Sequence, residues 1–266
     1  MDKASKGQVT RSAADIYDEF FVPSLFAEWT GRVAERADLT PGQSVLDVAC
    51  GTGVLAREAC ERVGSNGSVV GLDCNAGMLA VARRGKDEIE WLEGLAEELG
   101  FADNSFDAVI SQFGLMFFDN ADTALGEMWR VLRPGGRLAV AVWASLDQTP
   151  GYLAMVALIQ RLFGAQVADA LRAPYSLGDP ALLQDLFDRS GISGAHITTV
   201  QGTAKFESIA EWVRMDVKGW TLANLIDDTQ YRQLQIAAEK ELTETVQPDG
   251  SVQFTHPAHI VTAVKA

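Results

Sequence analysis

Apolar residues first recur with a helical period. Ala14, Tyr17 and Phe21, then Leu25, Trp29 and Val33, mark helices over 11–37 with Pro23 at their junction. From residue 44 the pattern changes to short apolar runs alternating with amphipathic stretches. Ser44 opens an apolar strand with Asp47 at its tip, followed by a glycine turn and a helix over 53–63. Ser68–Asp73 is a second strand, and Asn75 caps a helix reaching Arg84. Ile89–Leu92 and Ser105–Ser111 are the third and fourth strands. A helix from Asp122 to Leu132, stopped by Arg133-Pro-Gly-Gly136, leads into a fifth strand, Arg137–Trp143. Strand and helix alternate strictly, which predicts a parallel sheet covered by helices on both faces.

After residue 150 the pattern is different. Residues 151–173 and 208–246 are helical insertions, the second interrupted near Gly219. Between them lie a helix, Ala181–Ser190, and a strand, His196–Thr203; a final strand, Val252–Val264, is interrupted at Pro257. No repeat, low-complexity tract or linker divides the chain, so residues 1–266 read as a single domain.

Charge narrows the partners. A net charge of −14 repels phosphate backbones and anionic lipid, and Lys and Arg are scattered, so neither nucleic acid nor membrane is expected as a partner. No stretch approaches the roughly 20 apolar residues of a membrane span. The N-terminus lacks the apolar core of a signal peptide, and the expected location is cytoplasmic. Cys50, Cys60 and Cys74 show no CxxC spacing and the chain has three histidines, so no metal site is expected.

Candidate chemistry concentrates around the first strand. Gly51 and Gly53 let backbone pass close to a ligand, and the following helix offers unpaired N–H groups and the positive end of its dipole. Asp73, 22 residues after Gly51 at the tip of the second strand, is placed to accept two ribose hydroxyls. A nucleoside-containing cofactor follows. Gly51-Thr-Gly-Val-Leu-Ala56 also satisfies the GxGxx(G/A) pattern of dinucleotide binders, which leaves an NAD-dependent oxidoreductase as an alternative. No tyrosine is followed four residues later by the lysine that such an enzyme commonly uses as part of its base.

Four phrases in order resemble a class I S-adenosylmethionine-dependent methyltransferase of the small-molecule type related to the ubiquinone/menaquinone-biosynthesis enzymes. They are Val45-Leu-Asp-Val-Ala-Cys-Gly-Thr-Gly53, Gly71-Leu-Asp-Cys-Asn-Ala-Gly-Met78, Phe101-Ala-Asp-Asn-Ser-Phe-Asp-Ala-Val109 and Glu127-Met-Trp-Arg-Val-Leu-Arg-Pro-Gly-Gly-Arg-Leu138. The resemblance implies a Rossmann-like α/β fold: a mostly parallel seven-stranded sheet, an antiparallel last strand, and helical lid insertions. Residues 44–143 would then form the cofactor-binding core, with substrate choice assigned to 151–173 and 208–246.

By the same resemblance, Asp47 reaches the ammonium of S-adenosylmethionine, Gly51 and Gly53 pack against its carboxypropyl chain, and Asp73 takes the ribose. Met78 lies near the adenine, whose amino group falls to the backbone of Leu95 and Ala96 or to Glu97, because Leu95 stands where relatives often carry Asp. Ala49 and Cys74 join the cofactor contacts, Ser111 and Gln112 flank the reactive methyl, and Tyr17 covers the cofactor. The apolar run Phe113, Met116, Phe117 and Phe118 reads as core, with Phe113 expected to touch substrate. Trp212, Met215 and Trp220 have the spacing of a buried lid-helix face, from which Trp212 is the expected substrate contact. His256 opens toward the cofactor end of an antiparallel last strand and is the candidate base. His196 belongs at the opposite end, His259 lies further down the strand, and Tyr152 and Tyr175 rank behind His256.

The implied reaction moves a methyl group from the sulfonium to O, N or C of a small hydrophobic or aromatic molecule, leaving S-adenosylhomocysteine. The cofactor is already activated, so the protein need only align the partners and exclude water. A base is required only for an acceptor protonated at working pH. The absence of a catalytic triad is consistent with this, and also with a non-catalytic S-adenosylmethionine-binding protein.

Overall fold

The computed structural model describes residues 11–85, 88–218, 222 and 225–266. Its strands are β1 (Ser44–Val48), β2 (Ser68–Asp73), β3 (Ile89–Glu93), β4 (Phe106–Gln112), β5 (Leu132–Trp143), β6 (His196–Val200), β7 (Thr203–Phe206), β8 (Val252–Thr255) and β9 (Ala258–Val264). Seven of them form one sheet in the order β3-β2-β1-β4-β5-β9-β6. β1 to β5 run parallel, whereas β9 is antiparallel to both β5 and β6. This is the Rossmann-like arrangement that the alternation and the resemblance imply.

Period-two alternation builds both faces of the sheet. On β5, Ala139, Ala141 and Trp143 join one core with the N-terminal helices, while Leu138, Val140 and Val142 join the other. The helices flanking this sheet are α1 (Arg11–Ile16), α2 (Ala27–Arg36), α3 (Val54–Val63), α4 (Ala76–Ala82) and α5 (Ala121–Val131). α3 turns Leu55, Ala56, Ala59 and Val63 inward, and α4 starts where the Asn75 side chain accepts N–H groups of Gly77 and Met78. The insertions supply α6 (Pro150–Phe163), α7 (Ala165–Arg172), α9 (Ile209–Lys218) and α10 (Asp228–Glu241); α8 (Pro180–Arg189) covers the sheet beside α5.

Four expectations change. The helices over 11–37 do not break at Pro23; Tyr17–Phe26 runs as a π-helix between α1 and α2 with Pro23 inside it. Proline cannot supply an N–H to an α-helical ladder, and the wider turn accommodates the loss. The helix over 151–173 is two helices, parted at Gly164 where φ is +91°. The strand over 196–203 is likewise two. β6 ends at Val200, and at Gly202 the backbone passes so close to Trp29 that a Cβ would lie 2.1 Å from its ring. The chain then leaves the main sheet as β7. β8 pairs with β7 in a separate two-stranded sheet, so the final strand is divided at Pro257 between two sheets. The interruption near Gly219, and Trp220 with it, lies outside the described residues.

Candidate active site

The tips of β1 and β4 define the site. Beyond β1, Ala49 has φ +59°, and beyond β4, Phe113 has φ +57°. Left-handed backbone at a residue with a side chain costs on the order of 1–3 kcal/mol, and such strain gathers where function fixes the geometry. The two tips touch: a Cβ on Gly114 would lie 2.6 Å from that of Ala49, so only glycine fits there.

Between them opens a cleft lined by Tyr17, Asp47, residues 49–52, Val54, Leu55 and Gln112. Three lining residues present buried polar atoms with no protein partner: both carboxylate oxygens of Asp47, Oγ1 of Thr52 and Oε1 of Gln112. Buried polar groups are normally hydrogen-bonded, so a cluster of orphans marks ground prepared for a ligand. Burial pushes the Asp47 carboxyl well above the usual carboxylate range, the Asp73 charge adds to it, and the nearby backbone N–H of Ala56 opposes the rise. A cationic ligand would offset both effects.

Asp73, at the tip of β2, stands behind the glycine loop. Its carboxylate accepts the N–H of Gly51 at 2.8 Å and that of Asn75 at 2.8 Å. Each oxygen retains a lone pair, enough for two hydroxyl donors. Burial raises its pKa, and these two backbone bonds oppose the rise. Gly51 itself has φ +56°, and a Cβ there would project into open space. That space, the bare Asp47 carboxyl and the Asp73 oxygens fit a ligand carrying an ammonium, a sulfonium and a ribose. S-adenosylmethionine carries all three.

The structure thus brings Tyr17, Asp47, Ala49, Gly51 and Gln112 to one cleft, with Asp73 bonded to its loop. Tyr17 stacks on Phe26 at 5.1 Å, and burial together with the Asp73 charge raises its hydroxyl pKa. Several other sequence candidates stand elsewhere. Gly53 packs under an indole: a Cβ there would lie 2.3 Å from Trp91, and one on Gly71 would lie 2.4 Å from the same ring. The close approach of Trp91 is what requires glycine at position 53. Cys74 is exposed, Leu95 is 54% exposed, and Ala96 is buried in the core under α5. Glu97 accepts the backbone N–H of Asn120. Met78 packs with Ala14, Val81 and Tyr17, and Ser111 is buried with its hydroxyl unpartnered.

The candidates for substrate contact are packed into an aromatic stack. Phe113 lies parallel to Trp143 at 3.6 Å, and Trp143 parallel to His256 at 3.8 Å. Trp29 meets Phe113 and Trp143 edge-on. Trp212, the expected substrate contact, is fully buried, stacked on Phe206 and edge-on to Tyr152 among the packed rings of the insertion. His256 lies outside the cleft lining and is buried, with Nε2 3.0 Å from the Tyr175 hydroxyl. Burial pushes its pKa down to about 3, so it stays neutral at working pH.

Three residues escaped the sequence reading: Thr52, Trp91 and Asp216. Thr52 had a signal, a hydroxyl held between two loop glycines. Asp216 had one too, falling four residues after Trp212 on the apolar face of α9. Trp91 had none, because its contacts come from two other elements. Among the described residues no group of three or more His, Cys, Asp or Glu is placed to hold a metal ion, and no helix is long and apolar enough to cross a membrane.

Sheet order, strand-tip acids and cleft together define a class I S-adenosylmethionine-dependent methyltransferase. Residues 7–160 match the model of the ubiE/COQ5 methyltransferase family, and the chain belongs to that family. Its cofactor is S-adenosylmethionine. The chain is similar to the ubiquinone/menaquinone biosynthesis C-methyltransferase UbiE of Hahella chejuensis, 42% identical over 132 residues, which are 47% of this chain and 53% of the relative. The 2-phytyl-1,4-naphtoquinone methyltransferase of Synechocystis sp. is 35% identical over 194 residues, 68% of this chain and 79% of that one. The chain thus spans about half the length of the first of these relatives. In fold it resembles phosphoethanolamine N-methyltransferase 2 of Haemonchus contortus, solved with phosphomonomethylethanolamine and S-adenosylhomocysteine. That likeness has a TM-score of 0.64 at 19% identity and covers 99% of this chain and 59% of the other. Nothing in these comparisons supports a nicotinamide oxidoreductase.

Proposed function

We propose that this protein is an enzyme that transfers a methyl group to a ring carbon of a small hydroxylated aromatic molecule of the quinol class. The observation that carries the reading is the unpartnered, buried Asp47 carboxyl at the β1 tip, in a member of a methyltransferase family. The names of the two relatives, both methyltransferases of quinone compounds, support the acceptor class. When bound, the cofactor supplies an electrophilic methyl on a positively charged sulfur.

Each residue then has a task. Asp47 holds the cationic amino-acid end, Asp73 the ribose hydroxyls, and Tyr17 with Gln112 closes the cleft against water. Thr52 and Gln112 offer their free oxygens to the same ligand. Alignment of this kind is worth roughly 7–11 kcal/mol in favourable intramolecular systems, so little further chemistry is demanded of the chain. The insertions at 151–173 and 208–246 cover the acceptor, and 44–143 serves as cofactor core of the same single unit. A cytoplasmic location belongs to this proposal, as does the absence of nucleic-acid and membrane partners, which the net charge of −14 supports.

The test is single-turnover transfer from methyl-labelled S-adenosylmethionine to naphthohydroquinone under reducing conditions. Label on a ring carbon, with S-adenosylhomocysteine released, is the expected result. Tight binding of the cofactor with no transfer to any quinol would favour a non-catalytic binding protein.

A further inference from the structure

A second group of unpartnered polar atoms lies beyond the cofactor cleft, among the insertions. Asp216 on α9 is 1% exposed; its Oδ1 accepts the Tyr152 hydroxyl at 3.3 Å, while Oδ2 has no partner within hydrogen-bond distance, and the likewise unpartnered indole N–H of Trp212 lies near the carboxyl. His256, 2% exposed, is bonded through Nε2 to Tyr175, while Nδ1 has no partner. The two pairs form one cluster: Tyr152 and Tyr175 have ring centroids 6.0 Å apart, and Tyr152 lies 5.4 Å from His256. A buried acid without a cation is costly, and nothing in the fold of the sheet requires one here.

The surroundings are aromatic. Trp212 and Phe254 meet Tyr152 edge-on at 5.5 and 5.6 Å. They come from four elements outside the parallel sheet: Tyr152 from α6, Tyr175 from the turn after α7, Asp216 and Trp212 from α9, and Phe254 from β8. Two stacked rings connect the group to the wall of the methyl-donor cleft. His256 stacks on Trp143, Trp143 on Phe113, and Phe113 follows Gln112 in the cleft wall. On the other side α9 packs against α1 and the π-helix that carries Tyr17.

We propose that this cluster is the acceptor's polar anchor, in which Asp216 Oδ2 and His256 Nδ1 hydrogen-bond the hydroxyl groups of an aromatic acceptor. The rings of Tyr152 and Phe254 hold its apolar body. A hydroxyl suits the site better than an ammonium. The groups beside Asp216 are the uncharged Tyr152 hydroxyl and Trp212 indole N–H; burial raises its carboxyl to about 8 against their opposing effect, so at neutral pH it keeps its proton. A carboxylic acid both donates and accepts, as a phenol does; an ammonium only donates. This inference rests on the methyl-transfer reading for the identity of the acceptor, but the binding it describes is measurable by itself.

The experiment is calorimetric titration of the full chain with naphthol, naphthalene and naphthylmethylammonium, each with and without S-adenosylhomocysteine. The wild-type protein should bind naphthol at least about tenfold more tightly than naphthalene, and Asp216→Leu, which can neither donate nor accept, should erase most of that preference while naphthalene binding stays unchanged. Should Asp216→Leu fail to fold, Tyr152→Phe removes one hydroxyl of the network and should reduce the preference severalfold. Equal binding of naphthol and naphthalene overturns the proposal. So does a preference untouched in the folded variants, or tighter binding of the ammonium than of naphthol. If S-adenosylhomocysteine does not bind while the Asp216-dependent preference persists, the methyl-transfer reading fails and the anchor stands; the reverse pattern sinks the anchor alone.

Discussion

Asp73 accepts the backbone N–H of Gly51 at 2.8 Å, tying the tip of β2 to the loop beyond β1 across 22 residues. One carboxylate thereby fixes the loop and offers its remaining lone pairs to the cofactor ribose. Asp73→Ala removes both functions. Charge-assisted bonds of this kind contribute about 1.5–3 kcal/mol each, so S-adenosylmethionine affinity should fall by at least about tenfold with a lower melting temperature. Calorimetry and thermal melting check the two effects; unchanged affinity refutes the assignment.

Asp47 is expected to behave in the opposite way toward stability. Its folded pKa is raised, so the folded state binds more protons than the unfolded state between the usual carboxylate range and the raised value. Stability of the ligand-free protein therefore declines as pH rises through that window. Asp47→Asn removes its share of the decline, and at neutral pH should raise the melting temperature while weakening cofactor binding. In the wild type, affinity for the cationic cofactor should fall as pH drops and Asp47 is protonated. Melting curves and titrations over a pH series read both trends.

The two loop glycines should separate cleanly. In Gly51→Ala the new methyl enters the cleft, and left-handed backbone costs roughly 1–2 kcal/mol, so cofactor affinity suffers more than folding. In Gly53→Ala the methyl meets Trp91 at 2.3 Å, so folding suffers most. Combining Gly53→Ala with Trp91→Leu should recover part of the lost stability, measured by urea unfolding. Independent, additive losses would remove Trp91 as the reason for that glycine.

Trp212→Ala should cost about 3–5 kcal/mol in urea unfolding, as expected of a fully buried indole. Trp212→Phe should retain most of the stability and leave the acceptor KM near the wild-type value. A large KM change with normal stability would restore Trp212 to the substrate wall.

Asp216 and His256 bias stability in opposite directions. His256, lowered from 6.5 to about 3, takes up a proton more readily when unfolded, so its contribution is lost as pH falls below 6.5. Asp216, raised from 3.8 to about 8, destabilises the fold progressively as pH rises between those values. Within this pair the two partly offset up to pH 6.5, and above it only Asp216 continues to contribute a slope. Asp216→Asn should flatten the fall in stability between pH 6.5 and 8; parallel curves for variant and wild type would contradict the assignment.

The alternation of apolar runs and amphipathic stretches determined the parallel core. It also located the glycine loop and its two acids, because strand tips and helix starts are set by local pattern. Loop chemistry was legible wherever one short segment made the contact, as at Asp47 and Gly51. Tertiary packing decided the rest. Gly53 serves Trp91 because β3 lies beside β2, a neighbour that no local pattern names. Val252–Val264 is one apolar run in sequence, yet it divides between two sheets because Gly202 and Pro257 redirect the chain at the same place. The Asp216 cluster draws on α6, the turn after α7, α9 and the β8–β9 junction, segments more than a hundred residues apart at their extremes. Burial of a polar atom is a property of all the elements around it, and sequence spacing records only the element that carries it.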